Sequence, residues 1–306
     1  MLRSILSPID FSEQSRHALR WAGAFATRFK SRLTVISVVD PLLAEAARIR
    51  LGHDVAKAET EPALREFVAA TWSGGSGAPG QTVFKAVIGE PVNAILEAAT
   101  ADTADLIVMG TQGLGGFRKW LLGSTTERLL RRTHVPVLAV PLASESDVVP
   151  QHGSLEISQI LAASDFSESS VTAAKTAANL AVQLSASLTL AHVVEPLTVP
   201  ARWQPLAHES DEMRLGSART NLKALAGQLC GARGCDDIVV LGRAAELIGS
   251  IARDRGMQLI VMGLASDRGV FAPRPGSIAY RVLCSTTVPV LVVPRLTSDG
   301  EPVGTP

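Results

Sequence analysis

The sequence predicts two tandem α/β domains, each a five-stranded parallel sheet with helices on both faces. Three observations carry this. The first is an internal repeat: Ile5-Leu6-Ser7-Pro8-Ile9-Asp10-Phe11-Ser12-Glu13 returns 155 positions later as Ile160-Leu161-Ala162-Ala163-Ser164-Asp165-Phe166-Ser167-Glu168. Val38-Val39-Asp40-Pro41 returns as Val193-Val194-Glu195-Pro196, Leu106–Gly110 as Leu259–Gly263, and Val135–Pro141 as Val288–Pro294. Four segments recurring in one order mean that a whole domain was duplicated. The second is the alternation, within each copy, of short β-branched runs with helical stretches, the pattern of a parallel sheet covered on both sides. The third is size: 306 residues, 46% apolar and 19% charged, supply two cores of ordinary domain length. The expected boundaries are 1–143 and 155–296, with a linker over 144–154 and a flexible tail over 297–306.

The first copy begins with a short apolar strand that ends near Ile9, and Ser12 then offers an N-cap with Glu13 in the first helical turn. Ala18, Ala22, Phe25 and Phe29 recur at helical spacing and mark the buried stripe of that helix. Leu33–Val39 is the second strand, 42–71 a less regular helical stretch, and Thr82–Ile88 the third strand. A helix over 91–100, a strand over Asp105–Met109, a helix over 124–132 and a strand over Pro136–Val140 complete the copy. Right-handed crossovers place strands 1 and 4 side by side, with the chain wound outward from them in both directions. The result is a doubly wound, Rossmann-like domain, in which ligands bind at the switch point beyond those two strands.

Composition narrows the function classes. Lys and Arg total 29 against 29 Asp and Glu, so no net field draws in nucleic acid or an anionic membrane. Aromatic residues are 4%, too few for single-strand stacking platforms. No apolar run approaches the ~18–20 residues of a membrane helix, and Pro8 and Asp10 interrupt any signal-peptide core. A cytoplasmic protein is expected. The three cysteines, Cys230, Cys235 and Cys284, form a sparse, odd set and are expected to be free thiols in a reducing compartment. No second ligand pair follows Cys230 and Cys235 at zinc-site spacing, so no metal site is expected.

The unusual residues lie in the two switch-point loops. Asp10 follows strand 1. Gly110-Thr111-Gln112-Gly113 follows strand 4, then nine residues, then Gly123-Ser124-Thr125 opening a helix. Glycines let backbone approach a phosphate, and a helix N-terminus presents free N–H groups with a favourable dipole. Each residue alone has a plainer reading: the glycines as turn formers, Ser124 as a helix cap, Asp10 as a partner of the helix beginning near Ser12. Their convergence on one switch point favours a ligand site. Arg118 and Lys119 in the loop have two readings, cations that offset phosphate charge or a solvated basic pair, and are left off the candidate site. Gly75-Ser76-Gly77-Ala78-Pro79-Gly80 has dinucleotide-loop spacing but precedes a strand, the reverse of the required order, and is read as a connector. No P-loop and no nucleophile elbow occurs.

Gly110-x2-Gly113-x9-Gly123-Ser124 matches the G-x2-G-x9-G-[ST] pattern of ATP-binding universal stress proteins. Pro8-Ile9-Asp10-Phe11-Ser12 and Ser37-Val38-Val39-Asp40-Pro41 resemble that family's first-loop and second-strand signatures. The resemblance spans nearly all of both halves. It implies strand order 3-2-1-4-5, with ATP as ligand and Mg2+ as an optional companion. It implies that Pro8, Ile9, Asp10 and the Val38 backbone hold adenine and ribose. Gly110, Gly113, Gly123, Ser124 and Thr125 would surround ribose and phosphates.

The second copy keeps Asp165, Val193, Gly263, Gly276 and Ser277 at the corresponding places. Ser266 replaces Gly113 and Ala163 replaces Pro8, while Pro273 and Pro275 stiffen a loop of unchanged length. A side chain at 266 crowds a phosphate path, so weaker binding is expected there. Three functions stand at this point: a nucleotide-dependent stress-response switch, a slow ATPase, and a ligand-free structural pseudo-dimer. The switch is favoured because, apart from Asp10, the loops show no acid or histidine to serve as a hydrolytic base. The apolar fifth strands, Pro136–Val140 and Pro289–Val293, are expected at sheet edges that need cover. Pairing of equivalent edges within one chain or between two chains would supply it. The stretches 42–71 and 197–233 differ most between the copies and are candidates for protein-partner specificity, the partner itself being unspecified.

Overall fold

The computed structural model of the chain describes residues 2–51, 56–72, 79–111, 122–141, 150, 154–264 and 277–294. It divides into two compact units, Met1–Glu156 and Ile157–Pro306.

In the first unit, β1 (Ser4–Pro8) is buried along nearly its whole length. Ser12 then caps α1 (Glu13–Phe29), its hydroxyl accepting the Ser15 N–H at 3.1 Å, with Glu13 complementing the helix dipole. Lys30 closes α1 in the left-handed conformation, φ 55°, and its N–H reaches the carbonyls of Ala26 and Thr27. Ala18, Ala22 and Phe25 are buried as their spacing predicts, and the buried surface widens to include Leu19, Trp21 and Ala24. Phe29 is only half-buried and stacks on Phe25, ring centroids 5.9 Å apart. The side of α1 bearing Gly23 lies so close to Trp72 that a methyl group there would collide with its ring.

After β2 (Arg32–Val39), the stretch expected to be irregularly helical contains two α-helices, α2 (Pro41–Leu51) and α3 (Glu61–Thr71), with a π-helical turn over Ala56–Thr60. The apolar stripe is hard to find in α2 because Leu42, Leu43 and Ile49 are all exposed, whereas α3 buries Leu64, Phe67 and Val68. β3 (Thr82–Ile88), α4 (Pro91–Ala101), β4 (Leu106–Gly110), α5 (Ser124–Arg132) and β5 (Val137–Val140) complete the unit. β1 pairs in parallel with β2 and β4, β2 with β3, and β4 with β5, which orders the strands β3-β2-β1-β4-β5. Asp102, at the end of α4, ties this sheet to its helices. Its Oδ1 lies 2.7 Å from Lys85 Nζ and 3.8 Å from Arg32 Nη2. Burial opposes its ionisation, but hydrogen bonds from Lys85 and Thr34 and the nearby Arg32 charge outweigh it and hold the carboxyl below the usual range.

The second unit repeats the plan with β6 (Gln159–Ala163), α6 (Glu168–Leu184), β7 (Ser187–Val194), α7 (Gln204–Cys230), β8 (Asp236–Leu241), α8 (Ala244–Asp254), β9 (Leu259–Gly263), α9 (Ser277–Ser285) and β10 (Val290–Val293). Its pairings are the same, giving β8-β7-β6-β9-β10. A single 27-residue helix, α7, stands where the first unit has α2 and α3. At its end the expectation of free thiols is overturned: Cys230 and Cys235 form a disulfide across the 3-10 turn Gly231–Arg233. Gly231 and Gly234, with φ of 49° and 67°, let the chain reverse tightly enough to bring the two sulfurs together. Cys284 is free of any disulfide.

Candidate functional site

β1 stops at Pro8, and three local bonds shape the turn beyond it. The buried Ile9 donates its N–H to the Ile36 carbonyl at 2.8 Å, the last rung between β1 and β2. Asp10 then turns the chain: its Oδ1 accepts both the N–H of Ser12, at 3.1 Å, and the Ser12 hydroxyl, at 2.5 Å. Between them Phe11 is held at φ 63°, a conformation that a bulky side chain adopts only when its surroundings enforce it. Asp10 and Ser12 therefore work as a pair, Ser12 being the cap and Asp10 fixing the cap's position. The sequence singled out Asp10 but not Phe11, whose backbone strain no residue pattern announces.

Val38 presents its backbone to the same place. Along β2 the groups of Arg32 and Ile36 bond towards β1, and those of Leu33 and Val39 towards β3. Hydrogen-bonding direction alternates along a strand paired in parallel on both sides, so the N–H and C=O of Val38 point to the β1 side, beyond its final rung. A donor and an acceptor thus stand side by side at the sheet edge next to Asp10. That is the complement of an adenine edge, which offers one acceptor and one donor.

The third component is the start of α5. Gly110 is the last residue of β4 rather than the first of the loop, and it pairs with Val140. Thr111 donates to the Val140 carbonyl at 3.0 Å, and the Gly123 N–H donates to the Thr111 carbonyl at 2.7 Å. The hydroxyl of Thr126, buried, donates to the Gly110 carbonyl at 3.0 Å. These bonds pin the N-terminus of α5 to the end of β4. Gly123 is the N-cap and contributes no side-chain bond, so Ser124 occupies the first helical position rather than capping the helix. Among the described residues no side chain caps the first N–H groups of α5, which stand at the positive end of the helix dipole. Ser124 is exposed and Thr125 half-buried. The hydroxyl that anchors the helix belongs to Thr126, a residue the motif does not mark. Its position three residues after the cap, on the turn facing back to the strand, is the signal that would have found it.

The second unit carries the same first turn. Ser167 donates its N–H and hydroxyl to Asp165 Oδ1 at 3.0 and 2.5 Å, and Phe166 has φ 66°. Desolvation opposes ionisation of Asp165, but bonds from the Ser167 and Ser170 side chains outweigh it and hold this carboxyl below the ordinary range. Val193 points its backbone past the end of β6 as Val38 does past β1, since Ser187 and Ala191 bond towards β6 and Val194 towards β8. Ser277 opens α9. Gly263 has a packing role: a Cβ there would stand 2.6 Å from the carbonyl carbon of Ser169 and 2.7 Å from the Ser170 nitrogen. The first turn of α6 packs directly on the end of β9, and only glycine admits it. Gly113, Arg118, Lys119, Ser266, Pro273, Pro275 and Gly276 lie outside the described residues, as do all but residues 150 and 154 of the expected linker and the whole tail.

The first unit thus gathers Pro8, Ile9, Asp10, Val38, Gly110, Gly123, Ser124 and Thr125 at the C-terminal edges of β1, β2 and β4, where doubly wound sheets bind ligands. A cavity of about 620 Å³ in the second unit, lined by Ser187, Cys230 and Asp236, opens at the opposite, N-terminal edge of its strands. Among the described residues no group of three His, Cys, Asp or Glu is placed to hold a metal ion, and no helix is long and apolar enough to cross a membrane.

Comparison with known proteins agrees with this architecture. The model of the universal stress protein family matches residues 1–141 and 156–294, one match for each copy. A universal stress protein of Mycolicibacterium smegmatis is 27% identical over 301 residues, 94% of this chain and 96% of that protein. One from Methanocaldococcus jannaschii is 34% identical over 147 residues, 46% of this chain and 82% of its own length. The crystal structure of a universal stress protein from Archaeoglobus fulgidus shares the fold, with a TM-score of 0.62 at 20% identity over 95% of this chain and 98% of that one. The duplicated doubly wound unit, its parallel sheet and the family match over both copies lead to one conclusion: the chain belongs to the universal stress protein family and carries two of its domains in tandem.

Proposed function

We propose that the first unit binds ATP at the edges of β1, β2 and β4 and acts as a nucleotide-dependent stress-response switch. The observation that carries the reading is the meeting of three complementary features. The Val38 backbone edge suits adenine, the Asp10 carboxylate suits ribose hydroxyls, and the N-terminus of α5, opened by a glycine N-cap, suits phosphate. Gly110, Gly113 and Gly123 would leave the path between them free of side chains. Asp165, Val193, Gly263, Gly276 and Ser277 form the equivalent, weaker site in the second unit, where Ser266 stands in place of Gly113. The protein acts in the cytoplasm, and its assembly runs through the fifth-strand edges, which light scattering on the full chain tests.

Slow ATP hydrolysis is the second reading. It needs a base or a metal beside the γ-phosphate. Asp10 commits an oxygen to Ser12, and Asp40 commits one to the N–H groups of Leu42 and Leu43. Both carboxylates are thereby engaged in holding helix starts, which favours binding without turnover.

Calorimetric titration of the purified chain with ATP, with and without Mg2+, tests the proposal. One tight site per chain is expected, weakened about tenfold or more in Gly113→Ser, an energy near 1.4 kcal/mol. Absence of binding to any adenine nucleotide would sink the reading. Phosphate release above background that disappears in Asp10→Ala would transfer the function to the ATPase class.

A further inference from the structure

We infer that the second unit carries a separate small-molecule site, a groove between the start of α6 and the middle of α7 that takes a planar aromatic carboxylate. The two copies place equivalent phenylalanines in the same left-handed turn but surround them differently. In the first unit Phe11 meets Phe67 of α3 edge-on, centroids 5.5 Å apart, and the Arg16 guanidinium lies 4.1 Å above the Phe67 ring. An aromatic side chain fills that space. α7 contains no Phe, Tyr or Trp to do the same. Phe166 lies instead on His192, centroids 4.5 Å apart and planes 26° from parallel, and a cavity of about 350 Å³ opens beside the pair. That volume is at the small end of ligand pockets and suits one or two fused rings.

The groove offers three kinds of contact. Phe166, His192 and Met213 present aromatic and thioether surface for stacking. His192 Nδ1 lies 2.7 Å from the Ser164 carbonyl, which can only accept, so Nδ1 carries the proton and Nε2 remains to meet a ligand. Arg214 is a positioned cation rather than a loose surface chain. Its Nη1 donates to the Glu195 carbonyl and to Asp211 Oδ1, both at 2.9 Å, and Asp211 is itself buried. A guanidinium has five donor hydrogens, so the Nη2 and Nε edge still suits a carboxylate bound by two parallel bonds. Ser217 and Asn221 add polar rim. One fixed guanidinium beside an apolar wall matches one carboxylate on a flat ring.

This groove is not the nucleotide edge. Asp165, Val193 and Gly263 do not line it. Side chains alternate along β7, so His192 and Val194 face the side opposite to Val193.

The test is saturation-transfer NMR on the full chain with indole-3-carboxylate and benzoate, with indole and cyclohexanecarboxylate as controls. Both aromatic acids should bind with dissociation constants below about 1 mM, and each control about fivefold or more weaker. Ser217→Trp and Asn221→Trp, both at exposed positions, should abolish the signal while circular dichroism stays unchanged; either variant alone suffices if the other misfolds. Arg214→Lys, which keeps charge but loses the planar fork, should weaken binding by about fivefold or more. The inference fails if neither acid gives transfer, if the controls bind equally, or if both tryptophan variants bind like the parent. Displacement of the acids by ATP also overturns it, since the groove would then belong to a nucleotide site.

Discussion

The amide of Gly123 donates to the carbonyl of Thr111 at 2.7 Å, so the two ends of the loop after β4 are bonded to each other at its base. This contact, with the Thr126 hydroxyl on the Gly110 carbonyl, determines where the first N–H groups of α5 stand relative to the strand ends.

Gly123 has φ −61° and ψ 141°, which proline can adopt, but the ring of Gly123→Pro takes the place of the amide hydrogen and presses on the Thr111 carbonyl, so the bond is lost and the loop ends are pushed apart. Stability should fall by about 1–3 kcal/mol, the range for an overpacked site that also leaves a carbonyl unpaired. ATP affinity should fall by about tenfold or more, because the helix start loses its tether. Calorimetry and chemical denaturation separate the two effects. Unchanged affinity would mean that this closure does not shape the site.

Gly263→Ala places a methyl group 2.6 Å from backbone at Ser169. Backbone cannot swing aside as a flexible side chain can, so α6 or β9 must shift. We expect about 1–3 kcal/mol of destabilisation, the usual range for overpacking, measured by urea unfolding of the full chain. Wild-type stability in this variant would show that α6 moves away freely and that the glycine is not required for packing.

Asp102 links the charge network of the first unit to pH. Its folded-state pKa is depressed relative to the unfolded value near 3.9. The stabilisation it contributes is therefore fully present above the unfolded pKa and is lost as pH falls through the folded one. Asp102→Asn should lower stability at neutral pH by about 1–3 kcal/mol, since a charge-assisted bond is lost and Lys85 keeps an unpaired, partly buried charge. The difference between variant and parent should shrink steadily below about pH 4. A difference that stays constant down to pH 2 would rule out ionisation as its source.

Much of the fold was legible from local signals. Ser12 and Ser167 cap the helices that their position after a strand predicts, and Gly110 and Gly123 bracket the loop as the motif requires. These features depend on residues within a few positions of each other. The helices after β2 and β7 were harder to trace. α2 exposes Leu42, Leu43 and Ile49, and α7 exposes Leu206 and Met213, so neither shows the single apolar stripe that marks a helix packed on a sheet. The disulfide escapes a reading of residue order because two cysteines flanking a short turn look like ordinary thiols until the turn geometry joins them.

By itself, the sequence determined the duplication, the order of strands and helices, the helix caps and the residues of the first-turn motif, because each follows from local composition or recurrence. Only the tertiary structure decided which way the Val38 backbone faces, why Gly263 must be glycine, how Asp102 joins Lys85 and Arg32, and that Phe67 fills in one unit a space left open in the other. Those relationships join groups far apart in the chain. They arise only when parallel pairing sets the direction of backbone bonds and helices pack against strand ends.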